Sequence, residues 1–300
     1  MAAVTLNAYA KINLFLDITG RRPDGYHTIS GIMQSVSLCD TVTVTLSPVA
    51  EGESPRHTLS CSDPRIPTDG RNLGLKAAEA FFAATGTGNT HLHIHIDKCI
   101  PAAAGMAGGS TDAAAVLKGL NRLTGEILSV EALCRMGLSL GADVPFCLMG
   151  GTQVAEGVGE LLTPCAPLPD CYLVVACAGE GVSTPAAYGK LDAFYGNFDG
   201  SAYAPKADAL AAQMNALSQG DLCGAGKYAY NIFESAVLPT HSRAGYIKEQ
   251  LLAAHALFAM MSGSGPSVFG VFDSEASAHA AMDVLHQASI PAWVCRPIGG

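Results

Sequence analysis

The stretch Pro101–Thr111, reading PAAAGMAGGST, constrains this chain more than any other because of what flanks it. Before it, His91–Ile96 (HLHIHI) alternates polar and apolar residues with the period of a half-buried strand. After it, Ala113, Val116, Leu117, Leu120 and Leu123 recur at helical spacing and predict a helix from about Ser110 to Leu123. Glycines in such a turn let the backbone approach an anion, and the helix start presents unpaired N–H groups and the positive end of its dipole. Ser110 and Thr111 add hydroxyls suited to phosphate oxygens or to a magnesium ion carried by them. No lysine follows the glycines, as a Walker A loop requires, and the spacing is not the GxGxxG of dinucleotide folds. By composition alone, a Gly/Ala-rich connection capped by Ser110 fits as well.

The rest of the chain mixes strands and helices. Leu6–Ile18 and Asp40–Leu46 (DTVTVTL) read as strands, joined through the turn signal Arg21–Gly25. Pro48–Gly70 is rich in turn residues and is expected to be mostly loop. Helices are expected over Asn72–Ala84 and Val130–Leu140, the latter closed by Gly141. Pro164, Pro167 and Pro169 mark a linker, so we expect two domains, 1–163 and 164–300. Beyond it, Tyr172–Cys177 reads as a buried strand and Asp192–Pro205 as a turn-rich surface stretch. Leu257–Met261 and Val268–Phe272 read as strands around an SGSGP turn, before a helix over Glu275–Gln287 and a strand at Ala292–Arg296. Hairpins alternate with helices, which predicts α+β in both halves.

Composition narrows the function classes. The net charge is −9, from 17 basic and 26 acidic residues, which argues against a nucleic-acid partner. The ten cysteines include no CxxC pair, and no long apolar run or basic leader is apparent, so a reduced cytoplasmic protein without a membrane partner is expected. His91, His93 and His95 share one strand face. They span too far for a compact tetrahedral site, so a polar sheet face and no protein-bound metal are expected.

The motif from Pro101 to Ala114 resembles the phosphate loop of the GHMP kinase superfamily. Ala10–Leu14 (AKINL) is similar to that family's N-terminal motif and Ser262–Pro266 (SGSGP) to its C-terminal glycine loop. Arg22–Thr28 (RPDGYHT) and Gly141–Phe146 (GADVPF) resemble one branch, whose acceptor carries a cytidine diphosphate group; homoserine, mevalonate and galactose kinases share the phosphate loop but not the DGYH turn. The resemblance spans about Ala8 to Phe272. It departs at Met106, Ala107 and Thr111, where Leu, Gly and Ser are commoner, and at Asn231–Glu234 (NIFE), which only partly matches an acidic stretch and is given no catalytic role.

The resemblance implies an ATP-dependent small-molecule kinase of two domains, an N-terminal α/β nucleotide-binding domain and a C-terminal ferredoxin-like α+β domain with a cleft between them. It implies ATP with Mg²⁺ carried on it, touching Ser110 or Thr111, and a monomer or homodimer. Asp143 is implied as general base with Lys11 as its cationic partner, a pairing that phosphoryl transfer to a hydroxyl can use. ATP is expected on Pro101, Ala102, Ala103, Ala104, Gly105, Met106, Ala107, Gly108, Gly109, Ser110 and Thr111, with Asn72 and Lys98 near the adenine. Gly263, Ser264 and Gly265 support that loop. Tyr26 and His27 are implied as readers of the cytosine, with Thr184 near the acceptor and Tyr188 closing the other face of the base. Asn13, two residues from Lys11 on a strand, shares its face. Alternatives are another GHMP kinase, such as a homoserine kinase, or a non-catalytic nucleotide-binding module on the same fold.

Overall fold

The computed structural model describes residues 1–179, 181–198 and 202–299, and the chain divides into two compact units. The first gathers Met1–Ala10, Cys39–Ala102 and Ala107–Met149; the second gathers Lys11–Leu38, Ala103–Met106 and the chain from Gly150 onward. Two long strands, β1 (Ala2–Arg21) and β2 (His27–Ser47), contribute to both.

The first unit adds β3 (His57–Cys61), α1 (Leu73–Thr85), β4 (His91–Asp97), α2 (Gly108–Leu123), α3 (Val130–Leu140) and α4 (Val144–Met149). β4 runs antiparallel to β2, with Ile96 opposite Val42 and Ile94 opposite Val44, and parallel to β3. The period-two pattern of β4 has a direct consequence. Leu92, Ile94 and Ile96 enter a core with Phe81 of α1 and Val116, Leu117 and Leu120 of α2, each enclosed side chain contributing about 1.5–3 kcal/mol. The histidines take the other face, where His93 bonds the Thr58 and Ser60 hydroxyls at 2.9 and 3.1 Å and His95 bonds Ser60 at 2.8 Å.

Three local expectations change. The stretch 48–70 contains β3, a strand too short to show a period. α2 starts two residues before Ser110. A short helix, α4, which the sequence did not announce, follows the Gly141–Asp143 turn directly, and its first turn tolerates Pro145 because an N–H there has no helical partner.

The second unit adds β5 (Thr152–Gly157), β6 (Leu161–Pro164), β7 (Tyr172–Ala176), α5 (Thr184–Tyr195), a 3-10 turn at Gly196–Phe198, α6 (Ala207–Ser218), α7 (Leu222–Lys227), β8 (Tyr230–Asn231), α8 (Glu234–Val237), α9 (Ser242–Ala253), β9 (Phe258–Met261), β10 (Val268–Phe272), α10 (Glu275–Gln287) and β11 (Ala292–Cys295). β5 pairs with β2 and β8 with β1. β6 pairs with β5, while β7, β9, β10 and β11 form an antiparallel sheet in the order β11-β7-β10-β9 with α9 and α10 packed against it, a ferredoxin-like β-α-β-β-α-β arrangement. The stretch Asp192–Pro205 is less irregular than expected, since α5 runs on to Tyr195; residues 199–201 of it lie outside the described residues. No helix among the described residues is long and apolar enough to cross a membrane.

Candidate active site

The first unit supplies a helix start suited to an anion. Ala107 precedes α2 with φ 60° and ψ 25°, in the left-handed region, and turns the chain into Gly108. The Thr111 N–H closes on the Ala107 carbonyl at 2.9 Å, so the amides of Gly108, Gly109 and Ser110 have no partner within the helix. Gly109 is exposed and Ser110 half-buried. Thr111 is different: it is buried, and its hydroxyl bonds back to the Gly108 carbonyl at 2.8 Å. Of the two hydroxyls expected to face phosphate or magnesium, that of Thr111 is engaged within the helix start, whereas no described group bonds that of Ser110.

Beneath that helix start lies a buried charge cluster. The Lys98 ammonium donates to Asp40 and, at 2.8 Å, to Asp112 on α2. Asp40 also accepts the N–H groups of Cys99 and Ile100 at 2.6 and 2.8 Å. Burial by itself would depress the Lys98 amine, but Asp112 and Asp40 outweigh it and keep the amine charged. Burial, joined by the Asp40 charge, pushes the Asp112 carboxyl up against the opposing pull of Lys98. A Cβ on Gly108 would stand 3.4 Å from the Lys98 nitrogen, so the cluster directly underpins the loop. Asn72, expected near the adenine, caps α1: its Oδ1 accepts from the Gly74 N–H and its Nδ2 donates to the Pro67 carbonyl, both at 2.8 Å.

The turn carrying Asp143 adjoins this helix start. A Cβ on Gly141 would lie 3.8 Å from the Ser110 Oγ, so the turn leading to Asp143 passes close to that hydroxyl. Among the described residues no group bonds the Asp143 carboxylate.

Ala107 is strained where the commoner glycine would not be. Ala107→Gly should therefore leave the fold intact and raise the unfolding free energy by up to about 1 kcal/mol, the left-handed penalty less glycine's extra unfolded-state entropy. Urea melts would check this; a loss of 1 kcal/mol or more would show that the Ala107 methyl makes a contact worth more than its strain.

In the second unit, two glycine turns interlock. The loop residues Ala103–Met106 pack on Ser262–Pro266: the Ser262 hydroxyl donates to the Gly105 carbonyl at 2.9 Å and the Ser267 N–H to the Ala104 carbonyl at 3.3 Å. Asn231 and Glu234 brace the second turn. The Asn231 amide donates to the Met261 and Gly263 carbonyls at 2.7 and 2.9 Å, and Glu234 accepts the Met261 N–H while pairing with Lys248. The NIFE segment thus has a supporting role that its imperfect motif concealed. Thr184, at the start of α5, exchanges a hydrogen bond with the Ser264 hydroxyl at 2.9 Å.

Lys11 and Asn13 share one face of β1 as expected, with the ammonium donating to the Asn13 Oδ1 at 2.7 Å in a buried setting. Its backbone N–H reaches the Met106 carbonyl at 3.3 Å, tying β1 to the phosphate loop. Gly25, at φ 91°, lets the DGYH turn close, and Tyr26 is left 67% exposed at its tip. His27 is buried instead. Tyr188 stacks on its imidazole at 4.6 Å, and Asp192 bonds its Nε2 at 2.7 Å. Tyr188 and Asp192 stand four apart on α5, one helical turn, and so reach the same ring. That spacing was the available signal for Asp192, which the sequence reading did not single out.

Two family models match, GHMP kinases N terminal domain over residues 72–151 and GHMP kinases C terminal over residues 208–290. A protein of Gloeobacter violaceus called 4-diphosphocytidyl-2-C-methyl-D-erythritol kinase is 41% identical, covering 99% of this chain and 95% of its own. This chain belongs to the GHMP kinase family. Among solved structures, a 4-(cytidine 5'-diphospho)-2C-methyl-D-erythritol kinase superposes with a TM-score of 0.76 at 31% identity, covering 99% of this chain and 100% of that one. A homoserine kinase from Cytophaga hutchinsonii shares the fold, with a TM-score of 0.73 at 19% identity over 100% of this chain and 95% of that one.

As a GHMP kinase the protein is an ATP-dependent small-molecule kinase. The first unit presents the amides of Gly108, Gly109 and Ser110, which have no partner within α2. The second presents an ammonium on a strand, an exposed aromatic ring and an oriented imidazole.

Proposed function

We propose that this GHMP kinase transfers the γ-phosphoryl group of ATP to the 2-hydroxyl of 4-diphosphocytidyl-2-C-methyl-D-erythritol, a step of the non-mevalonate route to isoprenoid precursors. The observation that carries the choice of acceptor is the pairing of exposed Tyr26 with a buried, carboxylate-held His27, a base-reading arrangement for which homoserine has no use. A stacked base is worth about 1–3 kcal/mol on such an aromatic face. The relatives' shared name supports the same acceptor.

In this reading the phosphates of ATP take the amides of Gly108, Gly109 and Ser110. The Ser110 hydroxyl would hold a Mg²⁺ carried on the nucleotide, which would supply positive charge to the phosphates. Asp143 accepts the proton of the 2-hydroxyl as its oxygen bonds to the γ-phosphorus and the bond to the β-phosphate oxygen breaks, releasing ADP. Lys11 stabilises the negative charge that develops, and Asn13 holds its amine in place. Asn72 and Lys98 serve the nucleotide by fixing the starts of α1 and α2. The enzyme works in the cytoplasm, as a monomer or homodimer.

A side-by-side assay of ADP release with MgATP and the cytidyl erythritol, homoserine or mevalonate tests the proposal. We expect kcat/KM for the cytidyl compound to exceed the others by about 10⁴, the discrimination of a site built to hydrogen-bond its substrate. Comparable turnover of homoserine would reject it.

A further inference from the structure

The best-defined polar arrangement that the reaction leaves unexplained is the grip on His27. Three groups of the second unit hold this ring: Tyr188 stacks on its face, Phe198 meets it edge-on at 5.6 Å, and the Asp192 Oδ1 lies 2.7 Å from Nε2. The Arg21 guanidinium lies 3.4 Å from the other oxygen of Asp192. An ionised carboxylate only accepts hydrogen bonds, so it draws the imidazole proton to Nε2. The neutral ring then has one hydrogen-bonding atom left. That atom is Nδ1, an acceptor, and no described residue bonds it.

Resting on the function proposed above, we infer that Asp192 is a positioning residue that sets base specificity: by fixing the Nε2–H tautomer of His27 it presents an acceptor to the acceptor substrate's pyrimidine. Cytosine carries an amino donor at its 4-position, whereas uracil-type bases carry a carbonyl acceptor there. An Nδ1 acceptor meets the first with a hydrogen bond and the second with an unfavourable pair of lone pairs. Asp192 touches neither reacting atom nor ATP in this scheme; its effect passes entirely through His27.

The test compares cytidyl and uridyl forms of the erythritol acceptor in the full-length wild type, Asp192→Asn and Asp192→Ala. An asparagine either accepts from or donates to Nε2, so both variants lose the tautomer preference. The expected result is a rise of about tenfold or more in KM for the cytidyl acceptor, with KM for ATP changed by less than about twofold. The cytidyl-over-uridyl ratio of kcat/KM should shrink by about tenfold as well. A residue that merely held α5 in place would lower kcat and melting temperature with both acceptors and leave that ratio alone, which would overturn the assignment. Nitrogen-15 NMR of His27 in the wild type gives a check that needs no variant to fold: the proton is expected on Nε2, and finding it on Nδ1 overturns the inference. Wild-type protein that fails to turn over the cytidyl compound would instead remove the function on which the inference rests.

Discussion

Asp143→Asn is expected to lower kcat by a factor of about 10²–10⁴, the usual contribution of a positioned general base, while leaving the melting temperature unchanged. The two halves of that expectation come from one feature. No described group bonds the Asp143 carboxylate, so exchanging it for an isosteric amide breaks nothing in the fold. The turn is held by its backbone, with the Val144 N–H on the Gly141 carbonyl and the Cys147 N–H on the Asp143 carbonyl, both at 3.1 Å. What the amide cannot do is accept a proton. KM for ATP should stay within about threefold, because the α2 amides proposed to take the phosphates are untouched. Asp40→Asn makes an instructive contrast. There the carboxylate bonds Lys98 and two backbone amides, and loss of its charge from a buried cluster should destabilise the first unit by about 3–5 kcal/mol. A wild-type rate in Asp143→Asn would remove the base assignment; a large drop in its stability would show that the carboxylate has a structural partner.

Much of this arrangement can be read from local pattern. The strand at His91, the helix Val130–Leu140 and the helix Glu275–Gln287 appear where periodicity puts them, because each has a clear apolar stripe and recognisable ends, Ser129 and Ser274 capping the two helices. α9 escaped notice for the converse reason. Its buried positions Ala244, Ile247 and Leu251 are sparse, and His241 before it makes no side-chain cap. β1 and β2 run well past their alternating segments because pairing with neighbouring strands, and not side-chain pattern, decides where a strand ends. In the candidate site, the residues proposed for chemistry and base reading, Lys11, Asp143, Tyr26 and His27, all come from short motifs. Partners drawn from distant sequence were not legible in this way. Nothing local to Lys98 announces Asp40, 58 residues earlier, and nothing local to Asn231 announces the carbonyls of Met261 and Gly263. Such pairings become visible only once the strands and turns are in register.

Gly105→Ala should be the most damaging single-methyl change in the phosphate loop, for a reason separable from glycine's flexibility. Gly105 has φ 77°, so any side chain there costs about 1–2 kcal/mol in backbone strain alone. Its added Cβ would also fall well inside contact distance of the Ser262 carbonyl oxygen and 3.1 Å from the Gly265 nitrogen, both backbone atoms that no rotamer change can move aside. Gly125 isolates the first effect, since at φ 89° it has nothing within 4 Å of its built Cβ. We expect Gly125→Ala to cost about 1–2 kcal/mol with unaltered kinetics. Gly105→Ala should cost at least about 1–3 kcal/mol more, the range for forced overpacking, and raise KM for ATP by tenfold or more as the two turns are prised apart. The Asn231 amide holds the Met261 and Gly263 carbonyls, so the SGSGP turn cannot shift without breaking those two hydrogen bonds. If both alanine variants melted alike and bound ATP alike, the interlock of the two turns would not be what shapes the phosphate loop.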